Sequence, residues 1–268
     1  MFMRYVVLIG VGLVIVVPLL TAVLNGFKSN AEVLADPFGI PTDPQWSNYL
    51  DILSGSDFWN QMLNSTIVMA ATTVATVALA AMAAFVFARI QFRGRELVYL
   101  FMLIGLLFPS TVAILPLYIT LRSAGLLNNL LGVILPQVAF GLPVSIVILR
   151  SFFSAVPDEL EEAASLDGCS RHRFFVSVLL PLVKPALAAV GILTMVTSWN
   201  AYFLPLLVLN EPSTYTLPLG TAQFQAQFGT DWALTQAYVS LSMVPAILFY
   251  LFAQRQMVAG LTSGALKG

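Results

Sequence analysis

The sequence predicts an all-α membrane protein with six transmembrane helices, organised as a single domain over residues 1–268. Three observations lead there. Hydrophobic residues make up 59% of the chain and charged residues 9%, against about one-quarter charged in ordinary soluble domains. The apolar residues gather in stretches of the roughly 20 residues that a helix needs to cross the hydrocarbon core. The charges fall between those stretches, with Arg150 and Glu96 near ends and none at mid-depth.

The expected spans are 5–24, 62–88, 97–119, 132–152, 186–209 and 237–253. The first is read as an uncleaved anchor, because its apolar run exceeds the roughly 7 to 15 residues of a secretory signal and no small-x-small cleavage site follows. Orientation follows the cations. With a cytoplasmic N-terminus, the inner segments hold Arg4, Arg89, Arg93, Arg95, Arg150, Arg171, Arg173, Lys184, Arg255 and Lys267, while the outer ones hold Lys28 and Arg122. Both termini then lie in the cytoplasm.

Between the first two spans, residues 25–61 carry Pro37, Pro41 and Pro44 with Asp36, Asp43, Asp51 and Asp57, a loop composition. The aromatics Trp46, Tyr49, Phe58 and Trp59 read as an interfacial belt, with a ligand platform as the alternative. Span two is rich in Ala and Thr, and small side chains let helices approach closely in lipid, which places it inside a bundle. The basic turn 89–95 reads as a plain topological anchor. Spans three and four carry Pro109 with Pro116 and Pro136 with Pro143. Each pair returns to nearly one face after seven residues, so kinks and freed carbonyls would share a stripe, although proline is in any case commoner in membrane helices than in soluble ones.

Span five holds Ser198, Trp199, Asn200 and Tyr202. Asn200 and Tyr202 are candidates for a solute pathway, and polar groups at that depth equally serve as glue between helices. The outer segment 210–236 offers Gln223, Phe224, Gln225, Gln227, Phe228 and Trp232. Alternating amides and aromatics suit contact with a carbohydrate or a protein partner better than catalysis; a solvated loop with interface anchors is the plainer reading. The tail from Gln254 is expected to be too rich in glycine for a further stable helix.

Several chemistries are excluded. A phosphate cradle needs glycines ending in Lys and Ser or Thr; the one Lys-Ser pair, at Lys28, follows Phe27. The chain therefore binds no ATP itself and hydrolyses none. The single Cys169 and single His172 rule out an internal disulfide and the usual metal clusters, so no catalytic or metal-ligating residue is assigned. No basic block of nucleic-acid type exists. Without acidic residues at mid-span, an ion-coupled carrier is disfavoured.

What remains is the polar stretch 153–185 between spans four and five. Asp158 is expected to cap a helix with Glu161 at its third position, and Asp158, Glu159, Glu161 and Glu162 complement the positive end of the helix dipole. Leu160, Ala163 and Ala164 give one small apolar face. Gly168 ends the helix, where a left-handed residue is cheap. Ser170 is expected to cap a second helix carrying Phe174, Phe175, Val178 and Leu179, ending before Pro181. The product is a helix-turn-helix peg.

Glu162, Ala163, Ala164 and Gly168, then after nine residues Val178, Leu180 and Pro181, resemble the E-A-A-x-x-x-G and I-x-L-P signature of permease subunits of bacterial ABC importers, with Val178 in place of Ile. The whole chain, including its ending VAGLTSGALKG, is similar to the second permease of the carbohydrate-uptake branch, the maltose and glycerol-3-phosphate type. The resemblance implies a type I importer permease fold with a cytoplasmic coupling helix-turn-helix in the bacterial inner membrane. It implies as partners a homologous second permease, two copies of an ABC ATPase that bind ATP and Mg, a solute-binding protein outside, and membrane lipid. It places the ATPase contact at Glu159, Glu162, Ala163, Ala164, Asp167, Gly168, Leu180 and Pro181, with Glu162 facing an ATPase arginine. It implies a binding-protein contact at Phe224 to Trp232 and an ATPase contact for residues 260–268. A stand-alone carrier or channel and a non-transporting scaffold are the competing readings. Sugar, oligosaccharide and glycerophosphodiester all fit as solute.

Overall fold

A computed structural model describes residues 2–107, 109, 112–226 and 229–265. It is mostly helical. Among the described residues four helices are long and apolar enough to cross a membrane: α1 (Phe2–Gly26), α4 (Ser56–Arg89), α7 (Leu131–Ser154) and the span Trp232–Leu251 of α14 (Trp232–Ala265). A fifth candidate is a bent pair, Arg171–Leu182 and Lys184–Trp199, crossing at 77°.

The expected third span is divided into α5 (Arg95–Leu107) and α6 (Ile114–Ser123), each shorter than one crossing. Pro109 lies in the gap, where its missing donor and fixed φ oppose helix continuation. Pro136 and Pro143, by contrast, sit inside an unbroken α7. Span five is also interrupted, into α11 (Lys184–Trp199) and α12 (Phe203–Val208). The tail expected to lack a helix continues α14 to Ala265.

The chain forms two compact units. One comprises residues 1–65 and 211–249. Its segment 25–61, expected as a loop, contains α2 (Asn30–Ala35) and α3 (Ser47–Ser54) and the first turns of α4. Capping starts α2, where Ser29 accepts from the Glu32 N–H, and Pro37, Pro41 and Pro44 are confined to the connection between α2 and α3. Phe27 packs its ring 4.8 Å from Trp46 and 4.4 Å from Tyr49, and Tyr49 donates to the Val23 carbonyl at 2.8 Å. Of the expected aromatic belt, Phe58 is core while Trp46 and Trp59 are exposed. Lys28 is fully buried, its ammonium donating to the Asp36 carbonyl at 2.7 Å.

The other unit comprises residues 66–210 and 250–268. Its core is Ala80, Ala81, Ala84, Phe85 and Phe87 of α4, Ile146, Leu149 and Phe153 of α7, Phe174, Leu179 and Val183, and Ala186 and Val190 of α11. Thr76, Ala80 and Ala84 recur every fourth residue and are 0% exposed. That stripe is what the alanine-rich sequence was expected to supply: short side chains that let neighbouring helices close on α4.

Candidate coupling surface and membrane cavity

The polar stretch folds as α8 (Asp158–Leu166), α9 (Arg171–Phe174), a π-helical turn (Phe175–Leu179) and α10 (Leu180–Leu182). No residue of α8 is buried; Leu160 is 42% and Leu166 90% exposed. Glu159, Glu162, Ala163, Asp167 and Gly168 are exposed and Ala164 is half-buried.

The start of α8 differs from expectation. Pro157 takes the cap position, and Asp158 stands in the first turn with Glu159 and Glu161. Asp158 does not cap because its carboxylate pairs with the Arg89 guanidinium at the end of α4. The C-terminus matches expectation. Gly168 has φ +74°, its N–H donates to the Ser165 carbonyl at 3.0 Å, and the Cys169 N–H donates to the Ala164 carbonyl at 2.9 Å. This is the paired bonding of a Schellman cap, which satisfies two otherwise orphaned carbonyls.

Ser170 caps α9 as expected, accepting from the Arg173 N–H at 3.3 Å. The second helix does not stop before Pro181, however. The Leu180 N–H reaches back to the Phe175 carbonyl, five residues away, so the backbone widens by one residue just ahead of the proline. The helix then runs through Pro181 to Leu182 and breaks at Val183. Phe174 and Leu179 are buried in the core, so only the first half of the peg projects while the second half anchors it. Leu180 is half-buried and Pro181 exposed.

Arg89, expected as a topological anchor, has a side chain only 3% exposed. Its guanidinium donates to the Phe153 carbonyl at 2.7 Å and to the Val156 carbonyl, pairs with Asp158, and stands 3.8 Å from Glu161. A cleft of about 400 Å³ beside it is lined by Glu162, Ser165, Arg95 and Arg171 among others. Arg150 in turn lies 3.8 Å over the Tyr99 ring and bonds Glu96 at 2.7 Å, fixing the start of α5 to α7.

A second cavity, about 600 Å³, opens among α4, α6, α7, α11 and α12. Its wall is mainly apolar with a band of polar side chains: Thr72, Gln137, Ser145, Thr194, Thr197 and Ser198. Ser198 donates to the Gln137 amide oxygen at 2.6 Å and Thr72 approaches the same oxygen at 3.4 Å. Ser145, Thr194 and Thr197 each donate to the carbonyl four residues earlier, which leaves their oxygens as acceptors. Asn200 and Tyr202 do not line this cavity. Asn200 donates to the Val196 carbonyl at 2.8 Å, and the Tyr202 ring stacks edgewise on Phe203. Their neighbours Ser198 and Thr197 line it instead. Gln137 was the missed signal, a lone amide inside an apolar run.

Of the outer candidates, Gln223 accepts from the Gln61 amide at 3.1 Å, and the Phe224 ring lies 5.3 Å from that of Tyr238. Both line a cleft of about 400 Å³ with Asp51, Asp57, Phe58 and Leu234. Gln225 is in β1 (Gln225–Ala226), which pairs antiparallel with β2 (Gly229–Thr230). Trp232 opens α14, is 46% exposed, and has its N–H bound by the Asn30 side chain at 2.9 Å. Gln227 and Phe228 lie outside the described residues. The segment carrying Gln223 and Phe224 packs on Gln61 and Tyr238, both 0% exposed and hydrogen-bonded to each other; Tyr238 also donates to the Leu217 carbonyl at 3.1 Å.

Two helices of membrane length, α4 and α7, line a cavity with a polar band, an arrangement in keeping with the class of membrane permeases. Residues 76–258 match the family described as binding-protein-dependent transport system inner membrane component, and the chain belongs to that family. It is 35% identical over 256 residues to the diacetylchitobiose uptake system permease protein NgcG of Streptomyces coelicolor, covering 95% of this chain and 85% of that one. It is 32% identical over 271 residues to the trehalose/maltose transport system permease protein MalG of Thermococcus litoralis, covering 99% and 97%. The fold is also that of a chain in the crystal structure of a bacterial ABC transporter involved in the import of the acidic polysaccharide alginate, with a TM-score of 0.80, 22% identity, and coverage of 94% and 95%.

Proposed function

We propose that this chain is one permease subunit of an ATP-driven importer for a sugar or oligosaccharide, working as a single membrane domain. The observation that carries the reading is α8, a helix capped at its C-terminus, with no buried residue, and held at its start by Arg89. A charged helix with exposed Leu160 and Leu166 between membrane segments is suited to dock on another protein. The partners are a second, homologous permease, two ATPase subunits that bind ATP and Mg, and an external solute-binding protein. The carbohydrate class is supported by the names of the relatives, whose uptake systems carry diacetylchitobiose and trehalose or maltose.

In this reading the chain crosses the bacterial inner membrane six times, with α5 and α6 forming one broken span and α11 and α12 another. Both termini are cytoplasmic, as the cation distribution favours. Glu159 to Gly168 enter the ATPase, with Glu162 facing an arginine there, and Leu180 and Pro181 set the base of the peg. Residues 260–268 meet the ATPase pair. Gln223 to Trp232 receive the binding protein, and the solute passes the band formed by Gln137, Thr194, Thr197 and Ser198. Closure of the ATPase pair moves the pegs, and the spans alternate between inward-open and outward-open states.

The test is solute uptake by the complete complex in vesicles. Glu162→Ala combined with Gly168→Pro abolishes uptake while the protein remains inserted; normal uptake by that double variant overturns the coupling role. Recovery of an ATPase with the detergent-extracted chain separates an importer from a stand-alone carrier.

A further inference from the structure

We infer that Arg89 is a positioning residue for coupling: its guanidinium fork fixes the direction in which the peg leaves α7, so that displacement of α8 reaches α4 and α7. The inference rests on the reading of α8 as the ATPase contact. Three of its partners, the Phe153 carbonyl, the Val156 carbonyl and the Asp158 carboxylate, follow one another along the connection from α7 to α8. The last carbonyls of a helix have no partner within it, and Arg89 takes the one at Phe153 together with that at Val156 just beyond. The same group then holds the first turn of α8. Three points on one short connection, bound to one rigid plane, leave that connection no free hinge.

Arg89 is also the last residue of α4, whose Ala80, Ala81, Ala84, Phe85 and Phe87 are core. The fork thus joins the ends of two core helices to the start of the exposed one. A cation retained only to orient the chain in the membrane sits at the surface; this side chain is 3% exposed, and its Nε has no hydrogen-bond partner. Burying a charge with one donor unmatched is a poor way to gain stability. Geometry is the better account, and it requires the planar fork: a lysine ammonium is a point donor on a flexible stem.

The experiment uses the complete complex in lipid nanodiscs with its binding protein. Arg89→Lys keeps the positive charge and loses the fork. Expected are unchanged basal ATP hydrolysis, solute moved per ATP reduced about tenfold, and amide exchange of residues 159–168 in the nucleotide-free complex faster by about tenfold, the scale of one lost charge-assisted bond. Asp158→Asn keeps both carbonyl bonds and leaves an amide oxygen to accept the third, and because the Asp158 side chain is 87% exposed the lost charge alone changes either readout by no more than about twofold. Native exchange and native transport per ATP in Arg89→Lys overturn the inference, as does an Asp158→Asn variant as impaired as Arg89→Lys. If the native complex moves no solute on ATP, the functional reading falls instead, and the exchange of the peg still decides the role of Arg89.

Discussion

Ser198 and Gln137 are joined by a 2.6 Å hydrogen bond between α11 and α7, with the serine as donor. Thr72 of α4 approaches the same amide oxygen, so one glutamine gathers three helices around the cavity. Interhelical hydrogen bonds in lipid are worth about 0.6 kcal/mol on average. A double-mutant cycle of Ser198→Ala and Gln137→Leu, read by unfolding in mixed micelles, is expected to give a coupling of about that size. A coupling near zero would remove the bond as a structural link.

Gly168 supplies the left-handed residue of the Schellman cap, and no neighbouring atom lies within 4 Å of where a Cβ would stand. The constraint there is conformational only. Gly168→Ala therefore costs about 1–2 kcal/mol of local helix stability, while Gly168→Asn, which tolerates that conformation, costs less. The order of ATP-driven uptake should be native, then Asn, then Ala. An alanine variant better than asparagine would contradict the cap as the reason for glycine.

Gly220 answers to space instead of conformation. A Cβ there meets the Tyr238 hydroxyl and the Gln61 side chain, which are bonded to each other. Gly220→Ala is expected to part them and leave buried polar atoms unmatched, at about 1–3 kcal/mol. The checks are a thermal midpoint several degrees lower and a weakened response of ATP hydrolysis to loaded binding protein. Native values for both would show that the segment repacks without loss.

Orientation has a chemical test. In a Cys169→Ser background, single cysteines at Ser170 and Ser213, both exposed positions, are to be labelled with a membrane-impermeant maleimide. Ser170→Cys reacts only from the cytoplasmic side and Ser213→Cys only from outside. The reverse pattern inverts the proposed topology.

The readable features of this chain were the local ones. Gly168, Ser170 and the acidic first turn of α8 announce themselves within a few residues of where they act, because capping chemistry is short-range. The misreadings came from partners distant in sequence. Asp158 looked like a cap, but a guanidinium 69 residues earlier claims its carboxylate. Pro181 looked like a stop, yet a widened turn anchored by the burial of Phe174 and Leu179 carries the helix past it. The break between α5 and α6 within residues 97–119 leaves no mark in the hydropathy, which is insensitive to a single Pro109. Arg89 and Lys28 were counted as tokens of topology, and burial, which no cation count registers, gives both a structural place.

The π-helical turn at Phe175–Leu179 has a consequence for how this segment tolerates change in length. Its wide turn already absorbs one residue more than an α-turn holds, so removing one would restore α-helical winding with little change of facing, whereas inserting one would rotate everything upstream by about 100° relative to Leu180. On such an insertion Phe174, 2% exposed, would swing off the core, and the peg beyond it would face another way. The number of residues between Ser170 and Pro181 is therefore as much a determinant of the peg's aim as their chemistry: a single-codon insertion there is expected to do more harm than a single-codon deletion or most substitutions within the same stretch.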